Sequence, residues 1–223
     1  MKKIAVIKTD FPTKFGLPRQ SGLIKEIKGT IIFEKPYRID EALRGIEDFS
    51  HLWLIWETSE TNGKEWSPTV RPPLLGGNKR MGVFATRSPF RPNPIGLSCV
   101  RLDSVEKTQK YGTVLHVSGV DIMDNTPIYD IKPYLAYADS HPDAKSGFTE
   151  NLAERKIEVQ IQNSLLECLP EEKREELLGA LSCDPRPSYI EDSERIYGFL
   201  FCGFEIKFRV NNNKLIVTEI IKP

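Results

Sequence analysis

The chain has 223 residues, 39% hydrophobic and 28% charged, with 11 Phe, 7 Tyr and 3 Trp, which supplies a packed core and excludes a disordered segment. Lysine plus arginine and aspartate plus glutamate both total 31. The resulting net charge of zero argues against a protein that coats nucleic acid unselectively, and leaves room for a local basic patch on an RNA-modifying enzyme.

The cysteines Cys99, Cys168, Cys183 and Cys202 form no CxxC pair and have no histidine at ligand spacing. That pattern predicts no metal site and no disulfide framework, as expected of a cytoplasmic protein. Met1-Lys2-Lys3 is followed by only Ile4-Ala5-Val6-Ile7, too short for a secretion signal. No run reaches the ~20 apolar residues of a membrane span.

Residues 4–7 read as a first strand. Residues 9–22 carry Pro12, Gly16, Pro18 and Gly22, too many breakers for regular structure, and hold a proline-set arginine in Pro18-Arg19-Gln20. Residues 30–33 predict a second strand. Asp40 is placed to cap a short helix running to Arg44, with Gly45 as its left-handed terminator. His51-Leu52-Trp53-Leu54-Ile55-Trp56 is almost wholly apolar and predicts a strand buried on both faces. His51 at its head reads as a structural residue. A long irregular segment follows, from the polar Ser59-Glu60-Thr61 turn through Trp66 and the Pro72-Pro73 and Gly76-Gly77 pairs. Loops of that length are usually functional or disordered.

Residues 82–97 contain Pro89, Pro92 and Pro94, each fixing φ near −65° and pushing the residue before it into extended geometry. The loop is stiff before anything binds, carries Arg87, Ser88, Arg91 and Asn93, and is expected to lie between strands at 83–85 and 98–100. It reads either as a preformed binding loop or as a proline-stiffened connector. Residues 98–105 and 113–117 predict a hairpin around Tyr111-Gly112. Asp124-Asn125 before Thr126-Pro127 is turn chemistry. The strand beyond would place Ile128, Asp130, Lys132 and Tyr134 on one side, as an exposed edge with an i,i+2 ion pair or as the wall of a pocket.

Residues 138–147 read as a linker and 156–162 as a strand. Pro170 opens a helix whose buried stripe would be Leu177, Leu178 and Leu181. Asp184-Pro185-Arg186-Pro187-Ser188-Tyr189 is a further rigid arginine loop, and residues 197–210 and 214–221 close the chain as strands around Asn211-Asn212-Asn213. Arginines set beside prolines, at 19, 87, 91 and 186, suit planar anions such as carboxylate or phosphate. No glycine fingerprint, P-loop, HExxH or GxSxG is present.

Taken together, Pro18-Arg19-Gln20, Ser50-His51-Leu52-Trp53, Thr69-Val70-Arg71-Pro72-Pro73, the 82–88 and 91–97 stretches and Asp130-Ile131-Lys132-Pro133-Tyr134 closely resemble the TsaA-like (TrmO) family. The match covers roughly residues 1–140, and the 184–189 stretch resembles a motif of the C-terminal domain in bacterial members. The resemblance implies an S-adenosylmethionine-dependent tRNA methyltransferase that methylates N6 of threonylcarbamoyladenosine beside the anticodon. It implies a mostly β fold, with a β-barrel methyltransferase domain over 1–145 and a small α+β C-terminal domain over 146–223 that completes the tRNA site. It also implies a homodimer with the cofactor near the subunit interface.

Carried over by position, Pro18, Arg19, Gln20, Arg87, Leu97, Asp124, Asn125, Thr126 and Pro127 are implied cofactor contacts. Glu60 and Thr61 stand where some relatives carry a His-Gln pair, which leaves backbone contacts there. For the chemistry, Arg87 or Arg19 would take the cofactor carboxylate. Asp130 or Tyr189 would accept the proton of N6. Arg186 or Arg91 would meet the substrate's threonine carboxylate. Lys132, Lys145, Arg155 and Lys156 are candidates for the anticodon stem-loop. The alternatives are a non-catalytic module binding a nucleotide or RNA loop, and a methyltransferase for a small molecule.

Overall fold

The computed structural model describes residues 1–61, 63–150, 156–186 and 192–223. Six strands close a barrel: β1 (Ala5–Lys8), β2 (Lys28–Phe33), β3 (His51–Glu57), β6 (Ile95–Thr108), β7 (Gly112–Ser118) and β8 (Thr126–Pro133). Their order around the barrel is β1-β2-β7-β6-β3-β8, and every pairing is antiparallel. Two-residue strands β4 (Thr69–Val70) and β5 (Met81–Gly82) pair as a small ribbon outside it. Closure removes the sheet's edges, and period-two alternation fills the interior. Ala5 and Ile7, Ile31 and Phe33, Leu52 and Leu54, Val100 and Leu102, and Leu115 and Val117 all point inward and are buried.

Several expectations are corrected. β3 is buried on one face only: Leu52 and Leu54 are inside, whereas His51 is exposed and Trp53 and Ile55 are half-buried. The apolar outer residues have other work, since the Trp53 indole donates to Asp139 at 3.0 Å and its ring packs on Tyr134. Residues 83–85 are a 3-10 turn, not a strand. Asp40 caps nothing; its carboxylate takes Lys107 at 2.6 Å and the Thr113 hydroxyl at 2.8 Å, and Gly45, at φ 83°, precedes a second 3-10 turn.

On β8 the register slips, so that Ile55 faces Asp130 while Trp56 faces Ile128. Tyr129 is the extra residue of that bulge, which reverses the alternation beyond it. Ile128 is buried in the barrel, and Ile131, not Asp130, follows it inward. Asp130 and Lys132 are left on the outer side in an ion pair of 2.9 Å.

The rest of the chain builds a four-stranded sheet, β10-β11-β12-β9, from β9 (Glu158–Gln160), β10 (Tyr197–Phe201), β11 (Phe204–Asn211) and β12 (Lys214–Ile221). Two short helices, α1 (Ala136–Asp139) and α2 (Asn163–Leu166), precede the 12-residue α3 (Glu171–Ser182). The expected single strand over 197–210 is broken by a turn at Cys202-Gly203, both at positive φ. Asn212 and Asn213, at φ 48° and 59°, make the next hairpin turn, where two consecutive left-handed residues suit strand twist. The buried stripe of α3 is Glu176, Leu177, Ala180 and Leu181, with Leu178 off to its side.

The barrel and the second sheet share one core. Phe11, from the loop after β1, stacks on Phe199 and tilts against Phe201, with ring centroids 6.4 and 5.0 Å away. Phe15 meets Tyr197, Phe199 and Phe208. Gly16, at φ 98°, is required here twice over: only glycine adopts that conformation freely, and a Cβ would collide with the Phe199 ring. Lys173 of α3, half-buried, bridges Asp10 of the barrel at 2.6 Å and the buried Glu176 at 2.8 Å. Among the described residues, no helix is long and apolar enough to cross a membrane.

Candidate active site

A cavity of about 780 Å³ opens at the barrel end where β3 finishes and β6 and β8 begin. That is within the ~300–1,000 Å³ of ligand sites. Its walls come chiefly from five parts of the chain: the 14–20 loop, the 56–61 stretch, the proline-rich segment with the start of β6, residues 121–126, and residues 180–186 beyond and at the end of α3. Of the residues expected at a cofactor site, Pro18, Arg19, Gln20, Glu60, Thr61, Arg87, Leu97 and Thr126 line it, as do Arg91 and Arg186 from the expected substrate site.

The segment 83–91 is braced from within. Arg91 donates through Nη1 to the carbonyls of Val83 and Thr86, at 3.1 and 2.8 Å, and its guanidinium lies over the Phe84 ring at 5.5 Å. The Thr61 hydroxyl sits 3.0 Å from the Thr58 carbonyl and 3.3 Å from that of Pro89, tying the 59–61 turn to the same segment. Prolines remove donors, and these side chains take over the bridging.

The other arginines link loops across the cavity. Arg87 donates to the Gln20 side-chain carbonyl, and Gln20 donates in turn to the Arg19 backbone. Arg19 reaches the backbone carbonyl of Arg186 at 3.3 Å. Arg186 forms a two-pronged pair with Asp184, at 2.9 and 2.8 Å, the fork geometry that suits a carboxylate.

Other expected residues do not reach the cavity wall. The Asp124 carboxylate accepts the Thr9 amide at 3.1 Å and the Asn125 amide group at 2.6 Å, and Lys8 donates to Asn125. Asn125, at φ 62°, is exposed. These groups shape the turn, from which Met123 and Thr126 reach the cavity. Pro127 pairs with Val6 in the barrel wall. Asp130 and Lys132 stay in their outer ion pair, and Lys145 is exposed on the 138–147 loop. Tyr189 and Arg155 lie outside the described residues.

The floor holds residues that sequence reasoning missed. The Trp56 indole donates at 2.9 Å to the Ser98 hydroxyl, which donates at 2.6 Å to Asp121. Ser98 is fully buried inside the barrel, and Asp121 lines the cavity. Burial pushes the Asp121 carboxyl above its ordinary range, although the Ser98 hydroxyl, the backbone amides of Asp121 and Ser21 and the nearby Arg87 charge pull it down. Trp56 owes its place to Gly96 on the paired strand, where any Cβ would land inside the indole ring. Beside it Tyr129 donates to Glu57, and burial followed by that carboxylate pushes the phenol up to about 12. The available signal was a carboxylate between two apolar residues, Val120 and Ile122, both fully buried.

Residues 6–140 match the model of the tRNA-methyltransferase O N-terminal domain, and residues 154–223 that of the TrmO C-terminal domain. A tRNA (adenine(37)-N6)-methyltransferase of Escherichia coli (strain K12) is 41% identical over 222 residues, covering 95% of this chain and 93% of that protein. One of Eikenella corrodens is 38% identical over 174 residues, 78% of this chain and 97% of its own. A crystal structure of TrmO from P. aeruginosa superposes with a TM-score of 0.79 at 32% identity, covering 99% of this chain and 95% of that one.

Proposed function

The chain belongs to the TrmO family of S-adenosylmethionine-dependent tRNA (adenine-N6) methyltransferases, and from that membership we propose that the cavity at the barrel end is where methyl donor and tRNA base meet. The walls fit such a donor. Leu17, Ile95, Leu97 and Met123 give apolar surface for an adenosyl group, and Arg19 and Arg87 stand together for an amino-acid carboxylate. Bound S-adenosylmethionine supplies a methyl group on a sulfonium, so alignment with the acceptor nitrogen carries much of the rate. The residues of this chain do the aligning. Arg87 and Arg19 would fix one end of the donor, the Pro18–Gln20 stretch and the backbone at Glu60 and Thr61 would hold its flank, and Met123 and Thr126 would meet it from the 123–127 turn.

The acceptor assigned here is N6 of threonylcarbamoyladenosine at position 37, presented by the anticodon stem-loop. Its threonine carboxylate falls to Arg186, which enters from the C-terminal side already shaped around a carboxylate. Arg91 on the cavity wall and Lys132 outside it are assigned to the approach of the RNA. The working form assigned is a cytoplasmic homodimer with the donor close to the subunit interface. Phe84, Leu97 and Phe90, 73%, 54% and 42% exposed along the same segment, form the apolar surface that a second copy would cover.

The observation that carries the reading is the convergence of Arg19, Gln20 and Arg87 on one cavity with the proline-rich segment. Labelled S-adenosylmethionine incubated with tRNA from cells with and without the threonylcarbamoyl group tests it. Label entering only the modified tRNA is expected, and equal labelling of both, or labelling of neither, overturns it.

A further inference from the structure

Methylation of a urea-type nitrogen leaves a proton to place. The N6 lone pair is delocalised into both the purine ring and the carbamoyl carbonyl, so attack is slow until the N–H proton departs. Among the described residues, four carboxylates line the cavity: Glu57, Glu60, Asp121 and Asp184. Three are badly placed to accept that proton. Asp184 is held in the two-pronged Arg186 pair, on the wall assigned to the substrate's threonine carboxylate and not to the reacting nitrogen. Glu57 is engaged by the Tyr129 phenol. Glu60 is exposed on the rim, open to water and away from the floor. Asp121 stands on the floor, oriented by the hydroxyl of a fully buried serine, which is itself fixed by an indole N–H.

We propose that Asp121 is the catalytic base of the methyl transfer, and that Ser98 and Trp56 are the positioning residues that set its orientation and basicity. The assignment rests on the reading of the cavity as the donor and base site. As the N–CH3 bond forms, the sulfonium S–CH3 bond breaks and the sulfide leaves with that electron pair. The N6 proton passes to the Asp121 carboxylate, which returns it to water after release. A carboxyl raised by burial holds the proton better than an exposed one would, which is what a base working near neutral pH requires. The charged and titratable groups facing it are Arg87 across the cavity and the hydroxyl of Ser98, with the Ser21 backbone amide from the 14–22 loop.

The test uses the full-length enzyme with threonylcarbamoylated tRNA and three readouts: donor affinity by calorimetry, single-turnover rate against pH, and carboxyl titration by carbon-13 NMR. Asp121→Asn should lower the single-turnover rate by ~10²–10⁴-fold. Its affinity for S-adenosylmethionine should change less than about threefold, less than one hydrogen bond's worth. It should also melt at least as high as the parent, since a buried charge is removed, and that outcome shows the loss is not one of folding.

Ser98→Ala keeps the base but deletes the bond favouring its ionised form. The Asp121 resonance and the acid limb of the rate profile should then move to higher pH together. Trp56→Phe should move them in the same direction by a smaller amount. An Asp121→Asn enzyme within threefold of the parental rate, or a Ser98→Ala enzyme whose carboxyl titration moves without the rate profile, overturns the base assignment alone. Donor affinity unchanged in Arg87→Ala and Arg19→Ala overturns the placement of the site, and this assignment with it.

Discussion

The two long walls of the cavity are held by different means. The wall at residues 83–91, leading into the proline-rich stretch, braces itself: Arg91 spends two hydrogen bonds on carbonyls of its own segment, and Thr61 adds another at the edge. The opposite wall, residues 180–186, has the short Arg186–Asp184 fork for internal support and is held in place largely from outside. Glu176 and Lys173 tie α3 to Asp10 and to the Lys28 amide, and Gly179 lets Ile24 approach to where a Cβ would stand 2.5 Å from it. Arg19 adds one bond to the Arg186 backbone. A self-braced wall keeps its shape if its neighbours shift, whereas a docked wall moves with whatever holds it. On the proposed reading of the cavity, the donor's fixed contacts belong on the first, and the second suits the part of the substrate that must enter and leave.

That contrast can be broken most strongly at Gly96. Gly96→Ala puts a methyl into the Trp56 ring, so the indole must swing out and abandon Ser98. Overpacking of this kind costs ~1–3 kcal/mol. The methyl-transfer rate should fall by ~10²-fold, as expected for misplacement of about 1 Å near the reacting groups. Near-parental turnover in Gly96→Ala would separate the floor from the chemistry.

Lys173→Met tests the docked wall. It leaves Glu176 and Asp10 as unpaired carboxylates, and breaking a buried pair costs ~3–5 kcal/mol when burial is complete, so ~2–3 kcal/mol is expected here. The Lys173 ammonium is opposed by desolvation, but its bonds to Asp10 and Glu176 outweigh this and leave it above its ordinary value. Because the folded value is the higher one, this contribution is fully present at neutral pH and is lost as pH rises past the ordinary lysine range, ~10.4. Thermal melts at alkaline pH should show the parent losing stability there faster than Lys173→Met. Parallel pH profiles would mean that the bridge contributes nothing. The smallest effect belongs to Arg91→Met, which should raise the donor's dissociation constant a few-fold and lower the melting temperature by a few degrees, since each of the two lost bracing hydrogen bonds is worth ~0.5–1.5 kcal/mol.

Much of the barrel was legible because its strands obey a simple period. β1, β2 and the β6–β7 hairpin stand where alternation and Tyr111-Gly112 placed them. Local exceptions were not legible. The Tyr129 bulge moved Asp130 away from Ile128, and no composition rule marks one extra residue in a strand. Residues 83–85 are β-branched, aromatic and small, yet tertiary contacts wind them into a 3-10 turn beside the prolines. The arginines of the cavity were visible because proline announces rigidity. Asp121 was not, since a carboxylate's meaning depends on Ser98 and Trp56, distant in sequence and brought to it only by the β3–β6 pairing. His51 is exposed, within 2.9 Å of the Ser50 hydroxyl and edge-on to Tyr134, and does not line the cavity.

The aromatic seam joining the barrel to the second sheet sets a limit for anyone trimming this protein. Cutting after the barrel would strip Phe11 of Phe199 and Phe201, and Phe15 of Tyr197 and Phe208, exposing those faces to water in one stroke. A minimal version would therefore need polar replacements at Phe11 and Phe15 to remain dispersed, and even then it would lack one side of its own binding chamber.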